Sequence, residues 1–243
     1  SNGMRPCIVP LQPFRAMKKC FLLMLAFLAA AASAVAQNTL TRKDYVTRIE
    51  SCEAILREFM LRPNTAIPSD ILKRARGLII VNQVKAGIIF GVKDGYGVVM
   101  VKRPDGTWSV PAFVNAGEAS LGLQLGATTV ETVYVIMDDQ TPRLLFNQRF
   151  NVGADAKAVA GPRVADAESY NRAILATPVL VYNKTAGLYA GATVKAGYLS
   201  RNDNANRAFY NTSSALPEIL YSNWITPPAE VQPLMAYVQE LTR

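Results

Sequence analysis

The sequence predicts an α+β protein: a strongly curved, mainly antiparallel β-sheet or partial barrel with flanking helices at both ends. Three observations carry that reading. Apolar residues recur at 4-3-4-3 spacing at Tyr45, Ile49, Cys52, Leu56 and Phe59, the stripe of an amphipathic helix. From Leu78 onward, short runs rich in Val and Ile, bounded by turn residues, take over as strands. Three glycine pairs, Gly87–Gly91, Gly122–Gly126 and Gly187–Gly191, fall inside those apolar runs. Residues four apart on a strand share a face, so each pair permits tight coiling or close approach of another backbone. Three such strands predict strong curvature. No long apolar run surrounds these glycines, and none sits in a strand–loop–helix unit, so neither membrane-helix packing nor dinucleotide binding explains them.

Taken in order, the chain first shows an export signal. Met17-Lys18-Lys19 is a basic start, Cys20 to Ala32 is an unbroken run of thirteen apolar residues, and Ala34-Val35-Ala36 supplies small residues at a cleavage site. Residues 1–36 are expected to be a signal peptide with its upstream residues, cleaved before Gln37, with a retained anchor as the alternative. Residues 37–243 are then expected to form a single periplasmic domain. Thr41 to Arg62 reads as its first helix, opened by a capping box of Thr41 and Asp44. Ser69 or Asp70 caps a short helix over Ile71–Arg76, and Gly77 stops it. Strands are expected at Leu78–Val84, Gly87–Val92, Gly97–Lys102, Trp108–Val114, Leu121–Gly126 and Thr132–Met137, with Pro104-Asp105-Gly106 turning a hairpin. A helix over Thr141–Phe150 starts at Asp139 or Thr141 with Pro142 in its first turn. Val152–Ala160 carries neither period. Strands return at Val179–Asn183, Leu188–Val194 and Tyr198–Arg201. A short helix over Asn202–Tyr210 follows, and a last helix spans Pro228–Thr242 with Val231, Leu234, Val238 and Leu241 on one face.

Composition narrows the function. The 243 residues hold 26 Lys and Arg, 18 Asp and Glu, and no histidine, for a net charge of +8. Without histidine there is no Ser-His-Asp or Cys-His catalysis and few routes to a zinc or iron site. Loss of residues 1–36 removes four basic groups and no acids, leaving 22 basic and 18 acidic residues, net +4. That modest excess, with no long Lys/Arg run, argues against nucleic acid as a partner. Cys52 would be the one cysteine left; its place on the apolar stripe makes it a buried thiol, with an intermolecular disulfide as the alternative. Asp138-Asp139 reads as a turn and helix cap rather than a metal site. No cofactor is implied, and nothing in the pattern assembles a nucleophile, base and oxyanion hole.

Several motifs then resemble one family. Ile67-Pro68, Ile71-Leu72, Ala75, Gly77 and Lys85-Ala86-Gly87 are similar to the opening of a SYLF domain. Trp108-Ser109 with Pro111-Ala112, Gly122-x-Gln124-x-Gly126-Ala127, Gly153-Ala154-Asp155-Ala156 and Ala160-Gly161-Pro162 follow in that family's order. Tyr182, Lys184, Gly187-Leu188, Ala190-Gly191, Asn206 and Phe209-Tyr210 match its closing segment. The resemblance covers Ile67 to Tyr210 and implies a lipid-binding domain. Eukaryotic members bind phosphoinositides and associate with actin, neither of which a periplasmic protein meets. Glu131 stands where an aspartate is usual, Val164 where a glycine often follows, and Lys195-Ala196 where Glu-Gly is common.

The expected function is non-enzymatic binding of an anionic phospholipid or membrane surface. Lys73, Arg74, Arg76, Lys85, Lys102 and Arg103 are the candidate headgroup contacts, with Trp108 at headgroup level or in the core. Ser109, Gln124, Glu131 and Asp155 are candidates for an internal polar site, or for buried hydrogen-bonding groups that fix strand geometry. The alternative function is a structural or protein-interaction module of the cell envelope, with an envelope protein as partner.

Overall fold

A computed structural model describes residues 40–86, 91–120, 128–147, 149–166, 172–185, 188–189 and 197–243. Helix α1 spans Arg42–Met60 and α2 spans Ser69–Arg74. Strands β1 (Gly77–Ala86), β2 (Gly91–Val101), β3 (Ala112–Ser120) and β4 (Thr128–Ile136) follow. A 3-10 turn over Thr141–Phe146 leads to β5 (Phe150–Asn151) and β6 (Ala158–Ala160). Then come α3 (Arg172–Leu175), β7 (Val179–Thr185), β8 (Leu188–Tyr189) and β9 (Tyr198–Arg201). Helices α4 (Asp203–Tyr210), α5 (Leu216–Tyr221) and α6 (Gln232–Leu241) complete the chain.

The strands form one sheet in the order β5-β9-β3-β2-β1-β4-β7-β6, with β8 paired to β7. Every pairing is antiparallel except β6 with β7. The sheet is a curled half-barrel, and chain length shows why it must curl. Laid flat, its eight strands in path would span about 34 Å at a spacing of about 4.8 Å. Yet β5 and β6, on opposite edges, are only seven residue steps apart, from Asn151 to Ala158. That length reaches at most about 25 Å. The inner face therefore gathers side chains from both edges: Phe150 and Val152 join Ile79, Val99, Ala112, Val114, Ile136, Val179, Val181 and Leu199. Leu216, Ile219 and Leu220 of α5, with Leu145 of the 3-10 turn, fill this interior.

The outer face buries Leu78, Ile80, Val98, Met100, Phe113, Val133, Val135, Leu180 and Tyr182. Helix α1 crosses it. Tyr45, Ile49, Cys52, Leu56 and Phe59, the stripe read from the sequence, are all buried, and Ile55 joins them. Tyr45 meets the Phe113 ring at 5.3 Å, and Cys52 Sγ donates to the Ile80 carbonyl at 3.7 Å. Burial pushes the Cys52 thiol up to about 12, so it is a buried core group, as its place on the stripe indicates. The Thr41–Asp44 capping box is present. Helix α6 packs beside α1 with Leu234 and Val238 fully buried.

Several boundaries differ from the sequence reading. Helix α2 has Pro68 rather than a side-chain cap at its start, and Gly77 opens β1 instead of ending a helix. Gly77 pairs with Val101 on one side and Ile136 on the other, and that pairing claims it for the sheet. The two strands expected at Gly87–Val92 and Gly97–Lys102 are one strand, β2, continuous from Gly91. Gly95 makes this possible: a Cβ there would stand 2.8 Å from the Asn82 carbonyl oxygen of β1. The helix expected to Phe150 is a 3-10 turn that stops at Phe146, because Phe150 pairs with Leu199. Asp138, not Asp139, receives its first N–H groups, from Gln140 and Thr141 at 2.8 and 2.6 Å. The last helix begins as a 3-10 turn, Ala229–Val231. Helices α3 and α5 are additions to the reading. Residues 121–127, and most of the three glycine pairs, lie outside the described residues.

Candidate functional site

The register sorts the candidate cations by sheet end. Lys73 and Arg74 close α2 and are exposed, where they complement its dipole. Arg76 follows, exposed, with its Nε 4.0 Å from Asp139 Oδ1. Antiparallel pairing of β2 with β1 returns Lys102 to this point: its N–H donates to the Arg76 carbonyl at 2.8 Å. Lys102 Nζ reaches the Thr242 carbonyl at 3.4 Å, and Arg103 Nε donates to the Leu220 carbonyl at 3.1 Å. Burial lowers the pKa of Arg103, with Asp105 opposing; a guanidinium stays charged regardless. Five of the six candidates thus form a basic rim at one end of the sheet. Lys85 does not join them. It is eight residues along β1 from Gly77, about 27 Å away at the rise of a strand.

Trp108 is core. It is 3% exposed and its Nε1–H donates to Thr242 Oγ1 at 2.8 Å. Ser109 is fully buried and saturated: its Oγ accepts from the Val101 N–H and donates to the Val110 carbonyl, both at 3.0 Å. Asp155 is exposed in a turn, where Oδ2 accepts from the Asn151 N–H at 2.6 Å and from its side-chain amide at 3.1 Å. Gly153 supplies the positive φ of 87° that this turn needs. This turn joins the two edges of the half-barrel, so the Gly-Ala-Asp-Ala motif is a closure device. Gln124 lies outside the described residues. Ser109, Glu131 and Asp155 sit at the rim, toward the opposite end and at the seam respectively, and do not converge on one pocket.

Other motif residues are joints as well. Asn206, buried at the base of α4, accepts from the Phe113 N–H at 2.7 Å and donates to the Phe113 carbonyl at 3.2 Å, tying α4 to β3. Tyr210 donates to the Pro111 carbonyl at 2.5 Å, and Tyr182 to the Pro162 carbonyl at 3.1 Å.

Glu131 belongs to a constellation that sequence reasoning missed. Cross-strand partners Ser200, Asn115, Tyr96, Asn82, Glu131 and Lys184 form one polar row across β9, β3, β2, β1, β4 and β7. Lys184 is 7% exposed, with Nζ 2.8 Å from Glu131 Oε2 and 2.5 Å from Glu58 Oε2 of α1. Asn82 Nδ2 donates to the Tyr96 hydroxyl at 3.2 Å, and Arg48 of α1 stands over the Tyr96 ring at 4.8 Å. The row marks where apolar cover by α1 gives way to polar contact. A lysine among strand residues, with the acid Glu131 in another strand segment, was the available signal. Among the described residues no group of acidic or sulfur side chains could hold a metal ion, and no helix is long and apolar enough to cross a membrane.

The described residues form an α+β half-barrel whose motif residues serve as joints of the fold. The Ysc84 family, described as Las17-binding protein actin regulator, matches residues 117–241. The chain is 34% identical over 177 residues to LAS seventeen-binding protein 3 of Saccharomyces cerevisiae, covering 71% of this chain and 38% of that protein. It is 31% identical over 195 residues to Protein YSC84 of the same yeast, covering 76% of this chain and 41% of that one. SH3 domain-containing YSC84-like protein 1 of Bos taurus is 27% identical over 194 residues, 77% of this chain and 57% of that protein. The chain belongs to the Ysc84 family, the SYLF family its motifs resemble, and spans about two to three fifths of these relatives' length.

Proposed function

We propose that this chain is an exported, non-enzymatic module that docks on anionic phospholipid through its basic rim. One observation carries the reading. The sheet register sets Lys102 beside Arg76, with Lys73 and Arg74 three and two residues before Arg76 and Arg103 next after Lys102. Lys73 and Arg74 are exposed, and the acid that meets Arg76 stands 4.0 Å off. Each cation held near an anionic surface is worth about 1 kcal/mol, so convergence matters more than net charge. The relatives' names, which describe binding and regulation, support a binding role over catalysis. They also favour the second reading, a protein-interaction module.

Flotation with phosphatidylcholine vesicles, with and without phosphatidylglycerol, separates the two. Lipid docking predicts recovery with the anionic vesicles only, weakened by added salt and by Arg74→Glu with Arg76→Glu. Equal recovery with and without anionic lipid would sink the electrostatic reading. Lipid-independent capture of one envelope protein would favour the second. Export predicts a mature periplasmic protein that begins at Gln37, which intact-mass measurement on a periplasmic fraction reads directly.

A further inference from the structure

We propose that Trp224 is the apolar anchor of the basic rim, entering the headgroup layer of an anionic phospholipid surface while the cations contact phosphates. The inference rests on the lipid-docking reading and supplies its missing apolar half. The chain has two tryptophans. Trp108 is buried, whereas Trp224 is 67% exposed. The loop carrying Trp224 leaves the end of α5, whose Leu220 carbonyl receives Arg103 Nε at 3.1 Å. Four residues of chain, at most about 14 Å, separate that contact from Trp224. Ile225 packs on the inner core and holds the loop in place. Just before it, the Tyr221 ring meets Phe146 at 6.0 Å, with the Arg143 guanidinium 5.3 Å from its centre.

A single exposed apolar residue ordinarily means little. An indole on a loop that leaves the Arg103 contact, with the other cations near Arg103 in the fold, is different, because its apolar body and N–H suit the boundary between headgroup and acyl chain. Leu61, another exposed large apolar residue, lies elsewhere: it follows Glu58, which pairs with Lys184 in the polar row. Charge selects the occupant, since Lys73, Arg74, Arg76, Lys102 and Arg103 outnumber Asp70, Asp105 and Asp139, the acids on the same segments. Amphipathic surfaces of this kind bind anionic lipid through apolar insertion and charge together.

Intrinsic tryptophan emission of the full chain tests this, using phosphatidylcholine vesicles with and without phosphatidylglycerol. Emission should shift to shorter wavelength, and brominated acyl chains should quench it, with the anionic vesicles alone. Trp224→Phe should abolish both responses, leaving the emission of buried Trp108. Trp224→Ala should weaken partitioning about tenfold with an unchanged circular dichroism spectrum, and Trp224→Tyr should restore most of it. Salt-sensitive flotation with unshifted emission and wild-type affinity of Trp224→Ala would overturn the anchor while leaving the rim reading intact. Absence of wild-type flotation would overturn both. Trp224-dependent binding to an acidic polypeptide, with no response to vesicles, would overturn the anchor in favour of a protein partner.

Discussion

The basic rim and the polar row use similar residues to opposite ends. At the rim, Lys73 and Arg74 end a helix in solvent, and Arg76 stands 4.0 Å from one exposed acid. In the row, Lys184 is enclosed and touches two carboxylates, one from the neighbouring strand and one from α1. Lys73, Arg74 and Arg76 at the rim are exposed to a partner, while Lys102 and Arg103 there also donate to the Thr242 and Leu220 carbonyls; the cation in the row is committed to the fold. Position on the strand decides which. Rim residues lie where strands and helices begin or end and their side chains reach past the core. Row residues lie within strands, under the edge of α1, where an unpaired charge would be costly.

The sharpest way to break this contrast is to remove the committed cation. Lys184→Met should cost about 3 kcal/mol in urea unfolding, because Glu131 is left half-buried without its partner; Glu58, half exposed, keeps the loss at the low end for a buried pair. Burial drags the Lys184 pKa down, but the hydrogen bonds it donates to Glu131 and Glu58 outweigh it, and the net result lies above the ordinary 10.5. The charged form is thus favoured in the folded state. Its contribution should be intact below about pH 10.5 and disappear as pH rises through the folded-state value. The gap between wild type and Lys184→Met should close over that alkaline range. A variant as stable as wild type at pH 7 would remove the distinction between the two groups.

A middle-sized effect should appear at the rim, in binding rather than stability. Arg74→Gln with Arg76→Gln should weaken partitioning to anionic vesicles by about 2 kcal/mol, roughly 30-fold, with stability changed by less than about 0.5 kcal/mol. Lys85→Gln should leave partitioning unchanged. Equal losses from both variants would show that vesicles respond to net charge and not to the rim.

Much of the fold is legible in the sequence because local periodicity fixes it. The α1 stripe, its capping box, β9 and α4 all follow from residues within a few positions of each other. Helix α5 escapes because six residues, with Pro217 in the first turn, are too few to display a period. The site was legible in composition but not in membership. Lys85 is near Arg76 in sequence, yet eight residue steps along extended β1 from Gly77 carry it to the opposite end. Lys102 is distant in sequence, yet antiparallel pairing returns it beside Arg76. Trp108 and Trp224 divide for the same kind of reason. Thr242, at the far end of the chain, supplies the partner that buries one indole, and Ile225 rather than Trp224 is the residue its loop turns inward. Such facts depend on register and long-range packing, which composition and spacing do not encode.

The smallest effect tests the contrast from the acidic side. Asp139 and Glu131 each face a candidate or committed cation, at 4.0 Å from Arg76 and 2.8 Å from Lys184. Both partners are exposed in the first pair, and such pairs contribute about 0–1 kcal/mol. Asp139→Asn should therefore leave unfolding free energy within about 0.5 kcal/mol of wild type. It should also free Arg76 and remove one negative charge from the rim, tightening partitioning to phosphatidylglycerol vesicles by up to about 1 kcal/mol, roughly fivefold. Glu131→Gln should do the reverse: it should lower stability, because Lys184 keeps only Glu58, and leave partitioning unchanged. If the aspartate variant instead destabilised the fold without changing vesicle affinity, Arg76 would be a structural cation like Lys184, and the rim would lose its central member.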